Sequence, residues 1–230
     1  MFRNRSVRIV SFSGVDGAGK TTQISGLETW LKQASQRTAL LTFWDNIVAF
    51  PRLREFLSLK AFRGDQGVGS PEKPVVRCDK NVTSMPVIAT RFVLYFADAM
   101  SLRWKIRKLR KSNLDVIIFD RYVYDELANL PLHWWASRIF VRFIAWLAPK
   151  PDVAYVLDAD PQAAFARKPE YPLEFLRRNR EAYLALSQLI RDITVIDPLP
   201  VEAATQRIRE GFLMRIPHSE AEFSHVPVLQ

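Results

Sequence analysis

One stretch constrains this chain more than any other. Gly14-Val15-Asp16-Gly17-Ala18-Gly19-Lys20-Thr21 follows the spacing G-x-x-x-x-G-K-[ST] without a gap. An apolar, β-branched run at 7–12 precedes it, and Ile24, Leu27 and Leu31 follow at helical spacing. A strand, a glycine turn and a helix in that order aim successive backbone N–H groups into one concavity. The helix N-terminus adds partial positive charge beneath it. The run therefore predicts a cradle for a chain of phosphates, formed by Gly14, Val15, Asp16, Gly17, Ala18, Gly19, Lys20, Thr21 and Thr22. Lys20 is placed to reach the terminal phosphates, and the Thr21 hydroxyl to ligate Mg²⁺.

The rest of the chain alternates in the same way. Apolar strand runs are expected at 38–44, 115–120, 153–158 and 194–197. Helical patterns are expected at 86–111, 132–147, 173–191 and 200–213. Short apolar strands separated by helices predict an α/β fold, with five parallel strands covered by helices on both faces. We expect one domain over 1–213, interrupted by a Gly-, Pro- and charge-rich loop at about 60–84 and a short lid at about 166–173. A tail at 214–230 has little pattern.

Composition excludes several classes. Cys78 is the only cysteine, so no disulfide framework forms within one chain and a reducing, cytoplasmic setting is expected. His133, His218 and His225 are scattered, which gives no zinc pattern. No stretch is expected to reach the roughly 20 apolar residues of a membrane span. The net charge of +9 suits an anionic partner without choosing one. Arg103, Lys105, Arg107, Lys108, Arg110 and Lys111 crowd one helix end, where cations offset the helix dipole. That reading is preferred to a dedicated nucleic-acid or membrane surface. The aromatic pattern at 133–143 is expected to be buried on the sheet or in an interface between copies.

The strand at 115–120 ends in Asp120-Arg121-Tyr122. In an open α/β sheet, ligands bind beyond the carboxyl ends of the strands. A carboxylate there can hold Mg²⁺ directly or through water, and the guanidinium can clamp a phosphate with two parallel hydrogen bonds.

With these residues in view, the chain resembles the thymidylate kinase family over roughly 7–213. The segment from Phe12 to Gln23 looks like the family's opening, and 116–122 like its apolar strand ending in Asp-Arg-Tyr. Pro151-Asp152 through Leu157-Asp158-Ala159-Asp160-Pro161 resembles its Pro-Asp-strand-Leu-Asp segment. Glu174, Phe175, Arg180 and Tyr183 match the helix behind its lid, and Asp197-Pro198 the loop beside adenine. The resemblance implies a homodimer that uses ATP with Mg²⁺ and passes the γ-phosphoryl to a nucleoside monophosphate. It implies catalytic roles for Asp16, Lys20 and Arg121. Gly17 stands where some members carry a catalytic arginine, so the arginine would come from the lid, with Arg167 and Lys168 as candidates.

On the acceptor side the resemblance implies Arg52 or Arg54 at the acceptor phosphate, and Phe96, with Phe92 as a second aromatic face, and Asp98 on the long helix. Three departures stand there. Ala99 replaces an arginine that reads the thymine carbonyl, Asn129 replaces a tyrosine beside the sugar, and 43–54 lacks the family's Arg-Glu-Pro-Gly-Gly-Thr. Thymidylate is the best single acceptor, and the departures predict relaxed or redirected choice. Two alternatives are a related phosphotransferase acting on another nucleotide or small molecule, and an ATP-binding regulatory protein without turnover.

Overall fold

The computed structural model describes residues 7–49 and 85–216. Five strands form one sheet in the order β2-β3-β1-β4-β5, every pair parallel. They are β1 (Arg8–Gly14), β2 (Thr38–Thr42), β3 (Val116–Asp120), β4 (Val153–Leu157) and β5 (Ile193–Ile196). Between them run α1 (Lys20–Gln33), α2 (Phe43–Asn46), α3 (Met85–Leu109), α4 (Val123–Leu127), α5 (Trp135–Leu147), α6 (Pro161–Arg167), α7 (Leu173–Leu189) and α8 (Val201–Arg215).

The period of two along each strand divides the core into two layers. Val10, Phe12, Val116, Ile118, Val153, Tyr155 and Leu157 face α1 and α8. Ile9, Ile117, Phe119, Ala154 and Val156 face the layer of α3, α4, α5 and α7. Burial on both faces explains why these strands read as near-continuous apolar runs. The expected α/β sheet with helices on both sides is therefore observed.

Three short helices depart from the expected pattern. The second strand was expected to reach residue 44, but it ends at Thr42 and α2 begins at once. The Asn46 side chain folds back to accept a hydrogen bond from the Thr42 N–H at 2.9 Å, which ends the strand. Helix α4 follows Asp120-Arg121-Tyr122 directly and is wholly buried. Helix α6 starts at an N-cap, with the Asp160 carboxylate accepting from Ala163 N–H at 2.9 Å and Pro161 at the first position. The closing helix runs to Arg215, two residues beyond its expected end.

Helix α3 is, by length and composition, apolar enough to cross a membrane, counter to the expectation that no stretch reaches that size. One face of it packs into the core through Ile88, Tyr95, Ala99, Leu102 and Ile106. The basic end is partly accounted for locally. Arg103 donates to the Leu147 carbonyl at 3.1 Å, and Lys108 lies over the Trp104 ring.

β1 sits between β3 and β4, so the chain crosses to opposite sides of it. That switch point opens a crevice at the carboxyl ends of β1, β3 and β4. The glycine run and Asp120-Arg121 both end there, since Phe12 and Asp120 are register partners.

Candidate active site

The turn after β1 is shaped by two close approaches. A Cβ on Gly14 would lie 2.5 Å from the Leu157 carbonyl oxygen, and one on Gly17 2.5 Å from that of Ala164. Both glycines have positive φ, 134° and 84°. No side chain fits either position without moving backbone. At Gly17 this has a chemical consequence: helix α6 packs directly on the turn, which excludes an arginine from that position and places Arg167 about one helical turn from the contact.

Lys20 opens α1 and is 7% exposed. Its Nζ donates to the carbonyls of Gly14 and Val15, each at 2.8 Å, and lies 4.0 Å from Asp16 Oδ1. Burial, with the Arg121 charge beside it, lowers its pKa to about 8. Asp16 pulls the other way without offsetting them. A phosphate needs the ammonium form, so kcat/KM for ATP, which reports the free enzyme, is expected to fall as pH rises through about 8. The Lys20→Arg variant, charged throughout, should lose that limb. A wild-type profile flat from pH 7 to 10 would contradict this.

Arg121 lies at the centre of the crevice. Its φ of 67° is left-handed, which is rare for a residue with a side chain and costs on the order of 1 kcal/mol. The Arg121 N–H donates to the Phe12 carbonyl at 2.8 Å, extending the sheet pairing by one residue. The guanidinium pairs with Asp16, and its Nη1 donates to Asp125 Oδ1 at 3.2 Å. Burial opposes its charge, but Asp125, Tyr183 and Asp16 together hold its pKa above the ordinary arginine value.

Asp125 is absent from the sequence-predicted set and is the best-connected carboxylate in the crevice. It is 3% exposed. Ser13 Oγ–H and the Tyr122 N–H donate to its Oδ2 at 2.6 and 2.9 Å, and Tyr183 O–H to its Oδ1 at 2.7 Å. Burial and the Asp125 charge push the Tyr183 pKa well up. Four elements, β1, the β3–α4 turn, α4 and α7, thus meet at one carboxylate. Its place at the third position of α4, where an acidic side chain can cap the Tyr122 N–H, was the available signal.

Other predicted residues divide. Asp120 ends β3 at the crevice, and its Oδ1 is buried with no hydrogen-bond partner among the described residues. An orphaned carboxylate oxygen beside the glycine turn fits a divalent cation, with the exposed Thr21 hydroxyl as the other expected protein donor. Asp158 forms a bidentate pair with Arg180 at 2.6 and 2.7 Å, and Asp152 accepts the Ile9 N–H at 2.7 Å. The two aspartates of the Pro-Asp-strand-Leu-Asp segment therefore fasten the two ends of β4. Asp197 and Pro198 are exposed in the β5–α8 loop. The Gln23 side chain, in the first turn of α1, donates to the Val201 carbonyl at 3.0 Å and ties that loop to the cradle side.

The acceptor-side set is not brought together. Phe96 stacks on Phe143 of α5, and Phe92 on Phe140, both nearly coplanar. Asp98 is fully buried and accepts the Ala49 N–H at 2.5 Å, anchoring the segment after β2. Two residues apart on a helix, Phe96 and Asp98 face opposite ways. The face of α3 turned inward carries Arg91, Tyr95 and Asp98 instead. Arg52 and Arg54 lie outside the described residues, as does the loop at 60–84.

Comparison with known proteins agrees with this geometry. No family model matches the chain. A probable thymidylate kinase of Pyrobaculum aerophilum is 30% identical over 184 residues, covering 76% of this chain and 81% of that protein. The chain belongs to the thymidylate kinase family. A probable thymidylate kinase of Methanosphaera stadtmanae is 25% identical, covering 86% and 92%. The fold matches the solved thymidylate kinase of Candida albicans at a TM-score of 0.56, with 18% identity and coverage of 95% and 94%. That of Ehrlichia chaffeensis matches at 0.54, with 16% identity and coverage of 89% and 98%. The protein is a phosphotransferase of the nucleoside monophosphate kinase type. The regulatory protein without turnover is therefore set aside.

Proposed function

We propose that the chain transfers the γ-phosphoryl of ATP to thymidylate, giving ADP and thymidine diphosphate, as a single P-loop domain over 1–213 in the cytoplasm. The observation that carries this reading is the meeting of Lys20, Asp16, Arg121 and Asp125 at the switch point of the sheet. In-line phosphoryl transfer needs positioning and charge neutralisation more than covalent chemistry. The turn amides of 14–22 hold the ATP phosphates, and Lys20 neutralises the β- and γ-oxygens. Arg121, held between two carboxylates, presents its planar fork to the acceptor phosphate. Thr21 and Asp120 would hold Mg²⁺, which when bound would supply charge neutralisation at the phosphates. Asp197 and Pro198 border adenine.

Arg167 supplies the second cation at the transferring group, because α6 occupies the space a side chain at Gly17 would need. Arg167→Ala should lower kcat about tenfold to a hundredfold with the KM for ATP little changed, as for loss of a group acting only in the transition state. Equal turnover in the variant would transfer the role to Lys168, which pairs with Glu170 at 3.1 Å.

The exposed apolar side chains of α3 (Val93, Phe96, Met100, Trp104) and α5 (Trp135, Ile139, Phe143, Trp146) adjoin through the Phe96–Phe143 stack. Such a contiguous face supports a homodimer.

Acceptor choice follows from the departures noted above. Ala99 is buried and offers no donor. Steady-state kcat/KM for thymidylate against other nucleoside monophosphates tests the reading. Thymidylate is expected to lead the panel by a modest margin, tenfold or less. Transfer to a phosphorylated sugar in preference to every nucleotide would favour the related-acceptor alternative.

A further inference from the structure

Helices α1 and α8 lie side by side on one face of the sheet, and two contacts of different character join them. Towards their carboxyl ends Trp30 meets Phe212 edge to face, with ring centroids 5.9 Å apart, and Arg209 lies over the Trp30 ring. Ala204, Ile208 and Phe212 are buried in the same layer as Leu27 and Leu31. At their amino ends the contact is polar and is made by Gln23, which is 4% exposed. Its Nε2 donates to the Val201 carbonyl at 3.0 Å. The Thr205 hydroxyl lies 2.9 Å from Gln23 Oε1 and 2.8 Å from the same Val201 carbonyl, so its one proton is offered to two acceptors. A carbonyl can only accept, which fixes the NH₂ of the Gln23 amide toward Val201.

Gln23 joins two parts of the crevice. Its backbone N–H donates to the Gly19 carbonyl at 3.1 Å, so its main chain belongs to the end of the glycine turn. Its side chain holds the first residue of α8, where the loop at 197–200 ends. Every residue of that loop is exposed, and Pro198 and Pro200 have no N–H with which to fasten its backbone. The other end is fixed where the Asp158 N–H donates to the Ile196 carbonyl at 2.9 Å. Such a loop takes its position from its two ends, and Gln23 holds one of them. The aromatic contact already seats α8 on α1, and an apolar pair in place of Gln23 and Thr205 would pack as well. What the amide adds is direction: a hydrogen bond fixes one atom of the loop's end.

We infer that Gln23 is a positioning residue for the donor nucleotide: it ties the loop beside adenine to the turn that holds the phosphates, so that one ATP molecule meets both at once. This rests on the reading above in which Asp197 and Pro198 border adenine. The base and triphosphate of ATP are joined through one sugar. Once the first is bound, the second contact is intramolecular, and its benefit depends on the spacing of the two sites. With the loop end held, that spacing exists before ATP arrives, and binding does not have to order the loop. With the loop end released, ATP must order it on binding. Affinity then falls without any change at the reacting phosphate.

The test compares wild type with Gln23→Leu, Thr205→Val and Thr205→Ser in calorimetric binding of ATP and of inorganic tripolyphosphate, each with Mg²⁺. Tripolyphosphate reaches the glycine turn but carries no base. Gln23→Leu should weaken ATP about tenfold, as for loss of hydrogen bonds on both halves of the amide, with tripolyphosphate within about twofold of wild type. The KM for ATP should rise in step, while kcat at saturating ATP and the acceptor KM hold within about twofold. Thr205→Val, close to threonine in shape, should weaken ATP about threefold, and Thr205→Ser, which keeps the hydroxyl, should restore it. The Thr205 pair carries the test if Gln23→Leu does not fold. Equal weakening of ATP and tripolyphosphate would assign Gln23 to the turn alone and overturn the inference. A wild type that prefers ATP, with the preference unchanged in Gln23→Leu and Thr205→Val, would overturn it while leaving the adenine reading in place. A wild type that binds ATP no more tightly than tripolyphosphate would contradict the adenine reading and the inference with it.

Discussion

Lys20→Ala is expected to lower kcat/KM for ATP about a hundredfold, roughly 3 kcal/mol of transition-state stabilisation, while leaving the fold intact. The fold should survive because the lysine contributes little to packing and is itself desolvated at a cost, as its pKa of about 8 shows. Removing a buried ammonium relieves that desolvation, which offsets the loss of its hydrogen bonds to the Gly14 and Val15 carbonyls. The loss is therefore one of charge aimed at phosphate. Circular dichroism and melting of the purified variant should match wild type within a few degrees. Turnover equal to wild type would contradict the cradle assignment.

Asp125→Ala is expected to have the largest effect on stability, about 3 kcal/mol. The substitution strands the Ser13 hydroxyl, the Tyr122 N–H and the Tyr183 hydroxyl, and removes one of two carboxylates that hold the buried Arg121 charge. Breaking a buried pair from one side costs more than the pair contributes, because the remaining charge stays desolvated. For a domain of this size the loss corresponds to a fall in Tm of roughly 6–12 °C. Asp125→Asn, which keeps the shape and most acceptors, should fall less but lose acceptor binding as Arg121 drifts. A Tm change of Asp125→Ala within 2 °C would show that the crevice does not depend on this carboxylate.

Strands β1, β3 and β4 were legible because burial on both faces leaves an unmistakable apolar run, and helices 14 residues or longer complete several turns of periodicity. The helices α2, α4 and α6 were not. Four to seven residues carry too little periodicity, and their signals are local caps such as the Asn46 side chain on Thr42 N–H and the Asp160-Pro161 start. The strand-turn-helix from Arg8 to Gln33 was legible, because its spacing is set by backbone geometry within one turn. Asp125 was missed because its importance comes from partners 58 and 112 residues away in sequence. Phe96 was favoured for its aromatic ring, yet the face it occupies is decided by Phe143 and the α5 packing.

The most direct test of the central claim is single-turnover transfer from γ-labelled ATP. Wild type and Lys20→Ala are mixed with thymidylate and Mg²⁺, and the label is followed into product. The expected result is label in thymidine diphosphate from wild type, at a rate about a hundredfold above the variant. Label appearing only as inorganic phosphate, with thymidylate and every other nucleoside monophosphate unchanged, would contradict it.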